Sequence, residues 1–237
     1  MSRPTALVLA ASGTNRDRDV AFALDRAGAH PQIVLLAELA ANPTLLGNAQ
    51  MLVIAGGFSF ADALGAGRMW ALELVHVVGA AMVEFVAAGR PVLGICNGFQ
   101  VLTRTGLLPG SLGHNASGSF QCEWVTLAAE PASRCIWTSG LAPIHCPIAH
   151  GEGRYVHPDP TVLANAGQVA LRYTGANPNG SVDAIAGVCD ASGVVLGLMP
   201  HPENHVIDRQ HPQHTRGVTG SSGLGLFEQG VRYAQEL

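Results

Sequence analysis

Short apolar runs alternating with stretches of helical spacing constrain this chain more than any other feature of it. Residues 6–10 form the first run, ended by Ser12-Gly13. Residues 17–27 then carry Val20, Phe22, Ala23, Leu24 and Ala27 at helical spacing, with Gly28 as a stop signal. Residues 33–36 and 51–55 are the second and third runs. A long helical stretch over 70–88 closes at Gly89, and 91–95 is the fourth run. Residues 97–105 read as a helix stopped by Gly106. Strands apolar at every position have no solvent face, so they belong in a parallel sheet covered on both sides by helices. The expected fold class is therefore α/β, a mostly parallel central sheet with helices on both faces. Ligands of such sheets bind at the carboxyl ends of the strands.

The second half differs in texture. Residues 121–128, 169–173, 183–189 and 194–199 read as strands joined by turns, and Asn179-Gly180 reads as a hairpin dipeptide. Residues 208–222 are polar, rich in His and Gly, and expected as an exposed loop. A helix over 223–235 closes the chain. No Pro-, Gly- or Ser-rich linker and no internal repeat divides it, so 1–237 is expected as a single domain.

Composition removes several function classes. With 48% apolar and 13% charged residues over 237 positions, the chain has ample material for a core and is not disordered. A net charge of −4 argues against nucleic acid or an anionic membrane as partner. All 13 basic residues are Arg, which removes Schiff-base, pyridoxal and phosphate-loop lysines. The five cysteines are odd in number, and no two form C-x-x-C, which fits a reducing, cytoplasmic location. The N-terminal apolar run, about seven residues long, lacks the pattern of an export signal. Glu73, His76 and Glu84 mark the 70–88 stretch as a buried amphipathic helix and not a membrane span.

The sharpest motif is Gly94-Ile95-Cys96-Asn97-Gly98, which follows a strand and opens a helix. This is the pattern of a nucleophile elbow with Cys in place of Ser. The turn holds the nucleophile in a strained conformation, so its neighbours must be small. The helix N-terminus favours thiolate, and the Asn97 N–H points where an oxyanion develops. An inert buried thiol in a Gly-rich turn is the alternative. A thiol nucleophile needs a base and a group to orient it. His201, in Pro200-His201-Pro202-Glu203 after the last strand, is the expected base, with Glu203 orienting it. A second oxyanion donor is expected at another strand end, and Gly56-Gly57, after the third run, either lets backbone approach a ligand there or forms a plain turn.

These residues resemble the class I glutamine amidotransferases, which carry a G-x-C-x-G elbow and a later H-P-E. Within that class the chain is most similar to glutaminase subunits of phosphoribosylformylglycinamidine synthase. GGFSFAD over 56–62, GICNGFQ over 94–100, AHGEGRY over 149–155, NPNGS over 177–181 and LMPHPENHV over 198–206 carry the resemblance, in order and along the whole chain. Phe60 and Ala61 depart from the usual Tyr and Gly.

The resemblance implies a flavodoxin-like fold and a definite chemistry. Cys96 would attack the side-chain amide of glutamine. The N–H groups of Gly57 and Asn97 would hold the oxyanion, His201 would move protons, and Glu203 would hold His201. Water would hydrolyse the resulting thioester. Gln100, Phe58 and Asn115 would bind substrate, and His150, Gly151 and Glu152 would face the site mouth or a partner, or form a structural turn. No cofactor is implied on this chain. A large synthetase subunit, with ATP and magnesium, would receive the ammonia and act on formylglycinamide ribonucleotide; a small third subunit bridges the two in many such systems.

Three rivals stay open at this stage. His201, His205, His211 and His214 have spacings that ligate zinc. The same elbow serves cysteine peptidases and other amidotransferases. A non-catalytic binder would tolerate replacement of Cys96.

Overall fold

The computed structural model describes residues 2–237; Met1, where the expected single domain begins, lies outside them. The elements in order are β1 (Thr5–Ala10), α1 (Asp17–Arg26), β2 (His30–Leu35), α2 (Leu36–Ala41), α3 (Thr44–Gly47), β3 (Met51–Ile54), α4 (Arg68–Ala87), β4 (Val92–Ile95) and α5 (Asn97–Arg104). Then follow β5 (Ser111–Gly113), β6 (Gln121–Ala129), β7 (Ile144–His150), β8 (Arg154–Val156), α6 (Pro160–Asn165), β9 (Val169–Thr174), β10 (Ile185–Cys189), β11 (Val195–Leu198) and α7 (Leu224–Gln235). Nine strands form one sheet in the order β2-β1-β3-β4-β11-β10-β9-β6-β7, and β5 pairs with β8 separately.

From β2 to β11 the pairing is parallel, as the apolar runs predict; Leu52 pairs with Val92, and Leu93 with Leu196. From β11 onward it is antiparallel. The chain leaves β1 toward β2 and later returns on the other side to β3. Crossovers of the usual right hand, run in opposite directions along the sheet, put helices on both faces. Accordingly α1 packs with α7, and α4 with α5. Leu7, Leu9, Leu52 and Val53 have no exposed surface between these layers.

The second run begins at His30 and ends at Leu35; Leu36 starts α2 instead. The Glu38 carboxylate accepts the Leu35 N–H at 2.8 Å and stops the strand there. β2 is an edge strand, which explains why Pro31 and Gln32 are tolerated in it. β7 was not legible as a strand: Pro147 interrupts it, although Ile144, Cys146 and Ile148 keep a buried period of two. Asn179-Gly180 is not a two-residue hairpin turn. It lies in a loop of residues 175–184, and the buried Asn179 amide donates to Gly153 O at 2.8 Å and to Tyr173 OH at 3.2 Å. The 208–222 segment is largely exposed, as expected, apart from the buried His211.

Among the described residues α4 is the one helix long and apolar enough to cross a membrane. Here Trp70, Leu74, Val78, Met82 and Phe85 face inward, while Leu72, Val75 and Val83 are exposed. The expected amphipathic helix is thus amphipathic in burial more than in composition.

Glycines at the β4–α5 junction allow backbone contact. A Cβ on Gly98 would sit 2.1 Å from Ile54 O, and one on Gly94 would sit 2.7 Å from Gly98 O. Backbone on both sides cannot yield. Gly98→Ala is expected to destabilise the protein by about 3 kcal/mol, read as a lower urea midpoint at unchanged m.

Candidate active site

Three adjacent parallel strands build the site. The chain just beyond the carboxyl ends of β3, β4 and β11 presents Gly56-Gly57, Cys96 and His201. Cys96 has φ 51° and ψ −104°, outside the ordinary regions for a side-chain-bearing residue. Such a conformation costs roughly 1–3 kcal/mol and persists because its surroundings impose it. The imposition is visible: the Cys96 N–H donates to Leu198 O at 2.8 Å, Asn97 starts α5 immediately, and Gly94 and Gly98 lock the corner. The thiol therefore stands at a helix N-terminus, only 5% exposed, with Sγ 3.9 Å from Ala149 O.

His201 and Glu203 are buried beside it. Nδ1 of His201 lies 2.7 Å from Glu203 Oε1. An acceptor carboxylate there places the proton on Nδ1 and turns Nε2 away from it. A Cβ on Gly56 would lie 3.0 Å from His201 Cε1 and 3.5 Å from Cys96 Cβ, so the imidazole and thiol meet across this glycine. Burial pushes the His201 pKa down, but the Glu203 charge, and then Cys96, push it up further, to about 10. His201 therefore holds its proton at neutral pH.

Gly57 has φ 151°, and a Cβ there would meet Thr14 Cα at 2.7 Å and Asn15 N at 2.8 Å. A side chain at this position would collide with backbone, so only glycine fits this corner. Asn97 is the first residue of α5, so its N–H has no partner within the helix. Asn15, Arg16, Gly57, Phe58, Cys96, Ala149 and His201 line a narrow cleft of about 30 Å³, on the scale of a water molecule. Larger grooves flank the outer side of α4, but the one of about 290 Å³ contains no ionisable side chain to do chemistry.

Phe58 stands at this cleft, 43% exposed. Gln100 and Asn115 are buried and engaged elsewhere. Gln100 Nε2 donates to Glu152 O at 2.6 Å, and its Oε1 accepts from Asn97 Nδ2 at 2.8 Å. Asn115 holds the 150–153 turn, with Nδ2 donating to His150 O at 2.8 Å and Oδ1 accepting the Gly153 N–H at 3.1 Å. Sequence reasoning missed Asn15, Arg16 and Ala149. The first two follow β1, so the strand-end rule applied to that strand would have found them.

Phe60 and Ala61 take φ of 53° and 52°. Glycine, usual at the second position in the resembling family, relieves the steric clash of Ala61 there. Ala61→Gly is expected to stabilise by roughly 0.5–1 kcal/mol, checked by chemical denaturation.

The four histidines considered as zinc ligands do not converge. His201 pairs with Glu203. His205 and His211 pack instead with His145 around the Trp124 ring. His145 Nδ1 meets His211 Nε2 at 2.9 Å, His205 Nδ1 donates to His145 O at 2.6 Å, and His214 is exposed. Among the described residues no group of three or more His, Cys, Asp or Glu is placed to hold a metal ion.

A cysteine at a strained strand-to-helix elbow, beside a buried His–Glu couple at the strand ends of a doubly wound sheet, defines the class: an α/β protein whose candidate site combines a thiol with a His–carboxylate pair. More particularly, the chain belongs to the CobB/CobQ-like glutamine amidotransferase domain family, whose model matches residues 3–234. It is 44% identical to the phosphoribosylformylglycinamidine synthase subunit PurQ of Treponema denticola, over 98% of this chain and 99% of the relative. The PurQ subunit of Dehalococcoides mccartyi is 37% identical, with both chains covered in full. The solved structure of PurLQS from Thermotoga maritima contains a chain matching with TM-score 0.82 and 36% identity, over 98% of this chain and 99% of that one.

Proposed function

We propose that this chain is the glutaminase subunit of a phosphoribosylformylglycinamidine synthase. It hydrolyses L-glutamine to glutamate and ammonia and passes the ammonia to a synthetase subunit, which converts formylglycinamide ribonucleotide to formylglycinamidine ribonucleotide with ATP. The single observation that carries the reading is the meeting of Cys96 with the His201–Glu203 couple at one cleft. Full-length similarity to PurQ subunits and to a chain of PurLQS supports the acceptor and the partners, the latter with a small third subunit.

The chemistry follows from the residues. Cys96 Sγ, as a thiolate, attacks the amide carbon of glutamine, and the oxyanion forms between the N–H groups of Gly57 and Asn97. His201 Nε2 gives its proton to the amide nitrogen as the C–N bond breaks, leaving a γ-glutamyl thioester on Cys96. His201 then takes a proton from water as it attacks the thioester, and glutamate leaves. Glu203 fixes the imidazole throughout. Phe58 covers the substrate's aliphatic arm, and Gln100 acts on the pocket through Glu152. In this reading residues 1–237 are one glutaminase domain of the cytoplasm. The chain carries no cofactor, and ATP and magnesium act on the partner.

The test is glutamate release from glutamine by the purified chain mixed with its synthetase subunits, alongside a peptide substrate panel. Glutamate release with nitrogen transfer to the nucleotide supports the reading. Peptide cleavage without glutaminase activity contradicts it.

A further inference from the structure

Two phenylalanine rings stand in water at the mouth of the Cys96 cleft. Phe58 lines the cleft and is 43% exposed, and Phe120 is 53% exposed. Their ring centroids lie 6.4 Å apart with 32° between the planes, so they make one aromatic surface that runs outward from the cleft. Phe120 also meets the turn that follows β7, where a Cβ on Gly151 would lie 3.8 Å from its ring.

Both rings are carried on braced backbone. The Phe58 N–H donates to Gly13 O at 3.0 Å, and the Oγ of the next residue, Ser59, donates to the buried Asn97 Oδ1. In the loop that leads to Phe120, the Asn115 N–H donates to Gly151 O at 2.9 Å, the Ala116 N–H donates to Asn179 O at 3.0 Å, and Asn115 Nδ2 donates to Ser119 O at 2.9 Å. A rigid platform that holds an aromatic ring in water loses little further freedom when a partner covers it, which is the property of an interface anchor. Half-buried polar residues adjoin the pair: Arg16 in the cleft wall, Gln121 after Phe120, and Glu152 after Gly151. An apolar centre with a polar rim is the anatomy of a docking patch.

The place of the pair says what covers it. Ammonia made at Cys96 has to reach its acceptor without entering water, so the subunit that holds the acceptor must close over this mouth. A second copy of this chain would seal the mouth against a protein with no acceptor. We propose that Phe58 and Phe120 are the anchor by which the synthetase subunit docks over the Cys96 cleft, seated in an apolar socket of that subunit. This rests on the glutaminase reading.

The test is titration of the synthetase subunit, with the small subunit present, into the full chain carrying an N-terminal fluorophore, read by anisotropy. Phe120→Ala is expected to weaken binding about tenfold, and Phe120→Leu, which keeps an apolar anchor, to weaken it less than threefold. At saturating synthetase the KM for glutamine and the ammonium-driven synthesis are expected to be unchanged. Hydroxyl-radical footprinting of the wild-type complex reads the same contact without a variant, with oxidation of Phe58 and Phe120 expected to fall when the synthetase is added. Equal affinity of wild type and Phe120→Ala, undiminished oxidation, or no binding by the wild type overturns the proposal. So does a rise in glutamine KM with affinity unchanged, which would make Phe120 a cover for substrate, or a wild-type dimer of this chain that Phe120→Ala dissolves. Binding is read without turnover. A wild-type complex that assembles but releases no glutamate therefore sinks the glutaminase reading and not the docking measurement, which separates the two failures.

Discussion

Cys96→Ser is expected to lower glutamine-dependent glutamate release by about 10⁴-fold or more while leaving the fold and the ammonium-driven reaction of the complex intact. The change is nearly isosteric, and the strained φ of 51° at residue 96 is imposed by Leu198 O and the flanking glycines, not by sulfur. The chemistry changes instead. His201, with its pKa raised to about 10, already holds its proton and is a donor. A neighbouring imidazolium stabilises a thiolate, whereas a serine hydroxyl is far weaker as an acid and stays protonated beside it. Glutamate assays and thermal melts on the same preparation check both halves.

Glu203→Gln is expected to have the next largest effect, a fall in kcat of about 10³-fold or more. Glu203 is fully buried, and its charge is the largest of the contributions that, together with those of Cys96, raise the His201 pKa against burial. Without that charge the His201 pKa falls. The imidazole then lacks the proton that the leaving nitrogen needs. Stability carries the same signature. A folded-state pKa raised above the unfolded value near 6.5 contributes stability fully present below that value and lost as pH rises through about 10. The wild type is expected to lose stability over this alkaline window, and Glu203→Gln to lose most of that slope. His150 works oppositely. Its pKa, lowered to about 4, contributes stability present above about 6.5 and lost as pH falls through 4. Urea midpoints across pH 3–11 separate the two windows.

Legibility in the sequence followed local physics. β1, β3 and β4 are buried on both faces, so their runs are apolar throughout and each was placed to within a residue or two. The elbow was legible because Gly94 and Gly98 are demanded by backbone contacts a side chain cannot share. β2 was shifted because an edge strand need not be apolar and its exit is set by Glu38. The antiparallel addition of β10, β9, β6 and β7 to the same sheet depends on pairings between residues far apart, such as Val125 with Cys146, which no local pattern encodes. The commitment of Asn115 to His150 and Gly153 belongs to the same kind of information.

Labelling by a glutamine-mimicking diazo ketone, followed by peptide mapping, tests the central claim most directly. Cys122 is exposed and is the natural target of any unselective thiol reagent, whereas Cys135, Cys146 and Cys189 are buried. The account predicts one label per chain, on Cys96, blocked by glutamine and accompanied by loss of glutamate release. A label on Cys122 with Cys96 untouched, or full inactivation with Cys96 unmodified, would contradict it.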